Sequence, residues 1–375
     1  MKLKIYYILS TLAILLLGCS NSFLPSNESG EMSSIFNSTS MSNEECSNDI
    51  NTSEQNESDK QYEYLKFEIH EDGYYIVAGF AKEKKEEVII PNYYKGLPVK
   101  TIKKDAFFAN KAVKKVTFGD NIIDIGASAF CHTGIEEITI PENVNIINNS
   151  TFSSCDNLKK VNFHNNITEI QNNAFSSCTS LKTIILPENL SSLGSAVFSN
   201  CVSLESVVIN DKLIDLTGNT FFGCSSLKEI AFGKNVKSIG WKTFEGCTSL
   251  VEIEIPEHVL YFDRHAFNSC TSLEKVNFLS NELSEYMFYN CTSLTSITFS
   301  TNFQIISKCS FEKCTSLEEI VIPKSTIYIG EDSFKGCTSL TKIYFEGTEE
   351  QWNNIDIHEV NEDLLSKEII FNYSK

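Results

Sequence analysis

Phenylalanine recurs at Phe107, Phe130, Phe152, Phe175, Phe198, Phe221, Phe244, Phe267, Phe288, Phe311 and Phe334, and all but two of the intervals are 23 residues. The exceptions are 22 (Phe130 to Phe152) and 21 (Phe267 to Phe288). The same frame surrounds each Phe. From Cys224 it reads C-x-x-L-x-x-ϕ-x-ϕ, then ϕ-x-x-I-G, then F-x-x-C, where ϕ is apolar, and it restarts at Cys247. A unit this short has no interior of its own, so its apolar positions can be buried only by like units above and below. That constraint outranks length, which at 375 residues would otherwise indicate two or three domains.

A fixed period of 20 to 29 residues with an L-x-x-ϕ-x-ϕ core is the signature of a leucine-rich-repeat solenoid. The expected architecture has parallel β-strands on a concave face, with turns and short helical segments on the convex side, in about 11–12 coils. Twelve strands are expected, centred on Val88, Val116, Ile138, Val161, Ile184, Val207, Ile230, Ile253, Val276, Ile297, Ile320 and Ile343. Pro91, Pro141, Pro187, Pro256 and Pro323 directly follow strands, where a residue that cannot donate to a ladder ends the pairing. At about 4.8 Å per parallel strand, twelve strands make a sheet of roughly 55 Å.

The ends read differently. Lys2 and Lys4 precede a largely apolar run from Ile8 to Leu17, the pattern of a signal sequence over residues 1–18 and too short for a stop-transfer span. Residues 19–60 are rich in Ser, Asn and Glu and cannot bury a core, so they read as a flexible acidic tether reaching roughly 35 Å as a random coil. Over 61–87, Phe67 and Ile69 alternate with polar residues before Asp72-Gly73, and Tyr75 and Val77 alternate after it. This is a hairpin signal, placed to cap the first coil. The repeats run over 88–345, with an insertion at Asn92-Tyr93-Tyr94-Lys95-Gly96. The last segment, 346–375, opens with Thr348-Glu349-Glu350-Gln351, a capping box for a short helix, and Ile369-Ile370-Phe371 is a candidate closing strand.

Two resemblances follow from these residues. Leu16-Leu17-Gly18-Cys19 resembles a bacterial lipobox, which implies acylation of Cys19, a membrane anchor there, and a place in the bacterial cell envelope. Residues 88–345 resemble the BspA-like class of bacterial leucine-rich repeats, through motifs such as Cys178-Thr-Ser-Leu181, Ile184-Ile-Leu-Pro187 and Ile239-Gly240 ahead of Phe244-Glu-Gly-Cys247. The segment from Tyr344 to Trp352 resembles the ending common in that class. The resemblance implies a secreted or surface-attached protein engaged in adhesion or recognition, with no catalytic residues to carry over. Asn110 and Thr133 depart from it, standing where later repeats have Cys.

Thirteen cysteines invite a metal or disulfide reading. Nine (Cys155, Cys178, Cys201, Cys224, Cys247, Cys270, Cys291, Cys314 and Cys337) hold one equivalent position per repeat. No C-x₂₋₄-C pairing suits zinc. A column of buried thiols acting as compact apolar residues, or adjacent disulfides across coils, fits the spacing. Cys46 is expected to be accessible, and Cys131 and Cys309 lie off the column. His258 and His265 share a coil with Asp263 and Arg264, but no motif places a nucleophile with them. Walker, H-E-x-x-H and G-x-S-x-G motifs are all missing. The expectation is a protein without enzymatic activity or cofactor.

The net charge of −18 argues against nucleic acid as a partner and for a soluble, self-repelling surface. The strand residues facing out of the solenoid then become the candidate binding face: Thr139, Asn162, Ile185, Val208, Ala231, Glu254, Asn277, Thr298, Val321 and Tyr344. Ile185, Val208 and Ala231 would sit side by side as an apolar patch, although β-branched residues also simply suit strands. The partner expected is a protein or other surface macromolecule. The alternative is an envelope protein that self-assembles laterally.

Overall fold

A computed structural model of the chain describes residues 59–374. The residues read as a signal sequence, Cys19, Cys46 and most of the stretch read as a tether lie outside the described residues. Thirteen short strands pair in parallel along one face, from Glu87–Ile89 through Lys342–Phe345 to Glu368–Ile370. The first twelve fall on the expected centres, and the last is the closing strand, with Ile343 opposite Ile369. Alternation sets their facing. In Thr183–Ile185 the middle residue is buried and its neighbours are exposed, and Leu186 then returns to the core. Ile230 and Phe232 are only half-buried, the looser point of that inner row.

A second ladder was not foreseen. The residue pairs ending at the Ile position of the frame's I-G, such as Asp215–Leu216, Ser238–Ile239 and Tyr261–Phe262, are two-residue strands that also pair coil to coil. Glycine follows several of them because the backbones close up there. A Cβ on Gly240 would sit 2.8 Å from the Gly218 nitrogen and 2.9 Å from the Leu216 oxygen.

Between the ladders runs the arc that carries Phe. The expected helical segments are absent from it among the described residues, and the reason is the backbone. The residues two before and two after each Phe take left-handed conformations, as at Lys242 (φ 56°), His265 (φ 61°), Asn200 (φ 57°) and Gly246 (φ 76°). The arc's amides therefore turn to the next coil, as where Phe221 donates to the Thr243 carbonyl at 3.0 Å and Phe244 to Ala266 at 2.9 Å. An α-helix would need those same donors within the coil.

Eleven Phe rings form one column through the core, from Phe107 to Phe334. Neighbouring centroids lie 5.2–5.9 Å apart and planes are tilted by 5–20°. Both ends are closed. Leu65–Ile69 and Tyr75–Phe80 form the hairpin around Gly73 (φ 77°). The insertion is a second hairpin, Tyr93–Tyr94 against Leu97–Ile102, turning at Lys95 and Gly96. Its long strand pairs with Tyr75–Phe80 and then starts the second ladder at Thr101 and Ile102. Phe67 stacks on Tyr94 at 3.9 Å between the two hairpins. Asp59, at the end of the stretch read as tether, is buried and accepts a hydrogen bond from the Lys95 amide.

The first strand's outer edge is closed by a side chain. Ile89 points its N–H and carbonyl away from the next strand, and the Tyr64 hydroxyl meets both, accepting from the N–H (2.9 Å) and donating to the carbonyl (3.2 Å). At the far end Thr348 and Gln351 make both bonds of the capping box, and the short helix Glu349–Trp352 buries Trp352 against Phe345.

Candidate binding face

The ten residues of the candidate face all lie on the outer side of the long ladder, none of them buried. Their surroundings differ along it. Asn162 donates to Thr139 (3.0 Å) and to Glu137 (2.9 Å), and the Lys160 ammonium also reaches Glu137 at 3.0 Å. Those two hydrogen bonds, Asn162's first, hold the Glu137 carboxyl below its ordinary range. Glu254, Asn277 and Thr298 are exposed, while Val321 and Tyr344 are half-buried, Tyr344 lying 4.5 Å from the Tyr373 ring.

Between these ends the strands Thr183–Ile185, Ser206–Val208 and Glu229–Ala231 form one continuous three-stranded sheet. Its register places Ile185 opposite Val208 and Val208 opposite Ala231. Only Ile185 is exposed, at 46 %; Val208 and Ala231 are half-buried between their neighbours. The patch is flanked by ion pairs of adjacent coils, Lys159–Glu136 (2.9 Å) and Lys228–Glu205 (3.1 Å). Exposed pairs of this kind contribute little stability, and here they form a charged rim.

The nine-cysteine column is buried and its thiols are free. Each Sγ lies 3.1–3.4 Å from the carbonyl oxygen of the Phe that closes the repeat before, so the thiol proton bridges two coils. Thr133 stands at the same position, but its hydroxyl donates within its own coil, to the Phe130 carbonyl at 2.8 Å. Burial pushes the thiols up, Cys155 to about 11 and Cys201 and Cys337 to about 12. Reactive cysteines need the opposite shift.

The two histidines of one coil serve separate turns. His258 contacts the Gly233 carbonyl (3.3 Å), and His265 stacks on Tyr286 at 4.7 Å. Burial lowers the pKa of His265. Among the described residues no group of three His, Cys, Asp or Glu side chains could hold a metal ion, and no helix is long and apolar enough to cross a membrane.

Short parallel strands, a Phe column and a cross-coil thiol column define a leucine-rich-repeat solenoid. The chain belongs to the BspA-type leucine-rich-repeat family, whose profile matches in six copies over residues 78–205, 191–284 and 273–359. Among solved structures it is similar to a leucine-rich repeat protein from Bacteroides ovatus, with 24 % identity, a TM-score of 0.62, and 82 % of this chain and 89 % of that one covered. It is also similar to the pneumococcal vaccine antigen PcpA, with 21 % identity, a TM-score of 0.53 and 82 % of each chain covered. No curated protein shows significant sequence similarity to the chain.

Proposed function

We propose that this chain is a surface-displayed lipoprotein that binds a protein or other cell-surface macromolecule through the outer face of its long ladder. The observation that carries the reading is the register of Ile185, Val208 and Ala231, which sets three apolar side chains side by side on the face. An apolar centre inside a charged rim is the anatomy of a protein contact. Ile185→Lys changes the most exposed member. It should leave melting within about 0.5 kcal/mol of the parent and abolish attachment to the cells or extracts that the parent binds. Attachment that survives the substitution would rule the patch out.

Anchoring rests on the lipobox-like Leu16-Leu17-Gly18-Cys19. Two acyl chains suffice for stable membrane attachment, whereas one is marginal. Cys19→Ala should move the protein from the detergent phase to the aqueous phase, and retention in detergent would refute the anchor. Sedimentation separates recognition from lateral assembly: a monomer at all concentrations fits recognition, and concentration-dependent polymers fit assembly.

A further inference from the structure

The turn after each long strand carries a ladder of its own. Asn143, Asn166 and Asn189 occupy one position in three successive coils. Each donates a side-chain N–H to a backbone carbonyl of the coil before: Asp120 (2.8 Å), Glu142 (3.2 Å) and Asn165 (2.9 Å). That bond fixes the plane of each amide and leaves its second N–H and its carbonyl oxygen for another partner. Beside the ladder the surface sinks into an open trough of about 670 Å³, whose walls include Asn145, Thr168 and Ser191. It spans four coils, with Glu142 at one end and Lys212 at the other, and no lining side chain is apolar.

We propose that this trough binds a neutral carbohydrate chain. Amides and hydroxyls supply donors and acceptors in pairs, which is what sugar hydroxyls require. An extended peptide would instead need pockets for its alternate side chains, and the trough offers none. Its single carboxylate and single ammonium cancel, so a phosphate or sulfate polymer gains nothing there. Fixing the amides beforehand removes part of the ordering cost that binding would otherwise carry. The coils repeat at about 4.8 Å, close to the advance of one hexose along an extended polysaccharide, so equivalent amides can meet successive sugars. The trough lies on the turns and not on the long-ladder face, so its failure would leave the protein-binding reading untouched.

The test uses the full chain, solubilised in a non-glycosidic detergent, on an array of neutral oligosaccharides of four or more sugars, with sulfated oligosaccharides and peptides alongside. Binding to neutral oligosaccharides is expected, with Kd raised at least tenfold in Asn145→Ala/Asn165→Ala. Both residues are exposed and neither donates a rung of the ladder. Thr168→Val, which removes one hydroxyl at constant shape, should raise Kd severalfold even if the double variant melts early. The proposal is overturned if no neutral oligosaccharide binds, if sulfated oligosaccharides or peptides bind in their place, or if Thr168→Val and the double variant bind as the parent does.

Discussion

The Cys224 thiol donates its proton to the carbonyl of Phe198, 3.1 Å away and one coil earlier. The same bond at each of nine coils ties the thiol column to the turn that presents the Phe column. Without the thiol the carbonyl keeps only its bond from the Cys201 amide, at 3.2 Å, and the loss of one net hydrogen bond costs about 0.5–1.5 kcal/mol. Cys224→Ala should therefore lose about that much in chemical denaturation. Cys224→Ser should lose less, since a hydroxyl can donate to the same carbonyl. An alanine variant as stable as the parent would mean that the bond contributes nothing.

Alkali should unfold the protein through these thiols. A folded thiol raised to about 11 or 12 keeps its proton where the unfolded one, near 9, has lost it. The stabilisation is whole below about pH 9 and is lost as pH rises through the folded values. Tm should fall steeply above pH 9, and Cys201→Ser should make that slope shallower. A flat Tm from pH 9 to 11 would contradict this.

Thiol labelling gives a second measure. The eleven described cysteines are all buried, so a maleimide should leave them unmodified in the native protein and modify them after denaturation. Native labelling at any of the nine column positions would show that coil opening is frequent.

Phe221 stacks between Phe198 at 5.8 Å and Phe244 at 5.6 Å and is fully buried. Phe221→Ala should cost about 3–5 kcal/mol. Because coils stabilise their neighbours, hydrogen exchange should quicken first between residues 198 and 270. Protection unchanged across that span would show that the column is not cooperative.

Tyr64→Phe removes both bonds to Ile89 while keeping the ring. The first strand then presents a bare edge, and sedimentation velocity should show concentration-dependent association that the parent lacks. A variant that remains monomeric would show that the surrounding hairpin alone protects the edge.

What the sequence disclosed was what repeats. The Phe and Cys positions, the long strands and the capping box at Thr348 and Gln351 are local or periodic, and each was readable. The second ladder was not, because two residues such as Ser238–Ile239 are too short to show a period of two. The left-handed residues flanking each Phe vary among Lys, His, Asn, Asp, Ser, Ala, Tyr, Cys and Gly, and their only shared trait is the lack of a β-branch. The insertion was located but not interpreted: its strand Leu97–Ile102 joins partners 24–25 residues before it and 23 after, outside any local pattern. On the candidate face, alternation gave the facing of Val208 correctly, yet its half-burial depends on Ile185 and Ala231 beside it.

The Tyr64 hydroxyl has a consequence for how such a chain can change length. Any interior coil could be duplicated or deleted in frame, since its two neighbours present matching surfaces. The first coil could not, because its outer edge fits one phenol and no further strand. Lineages of this chain should therefore vary in the number of coils between two constant ends, with genetic gain and loss confined to the middle.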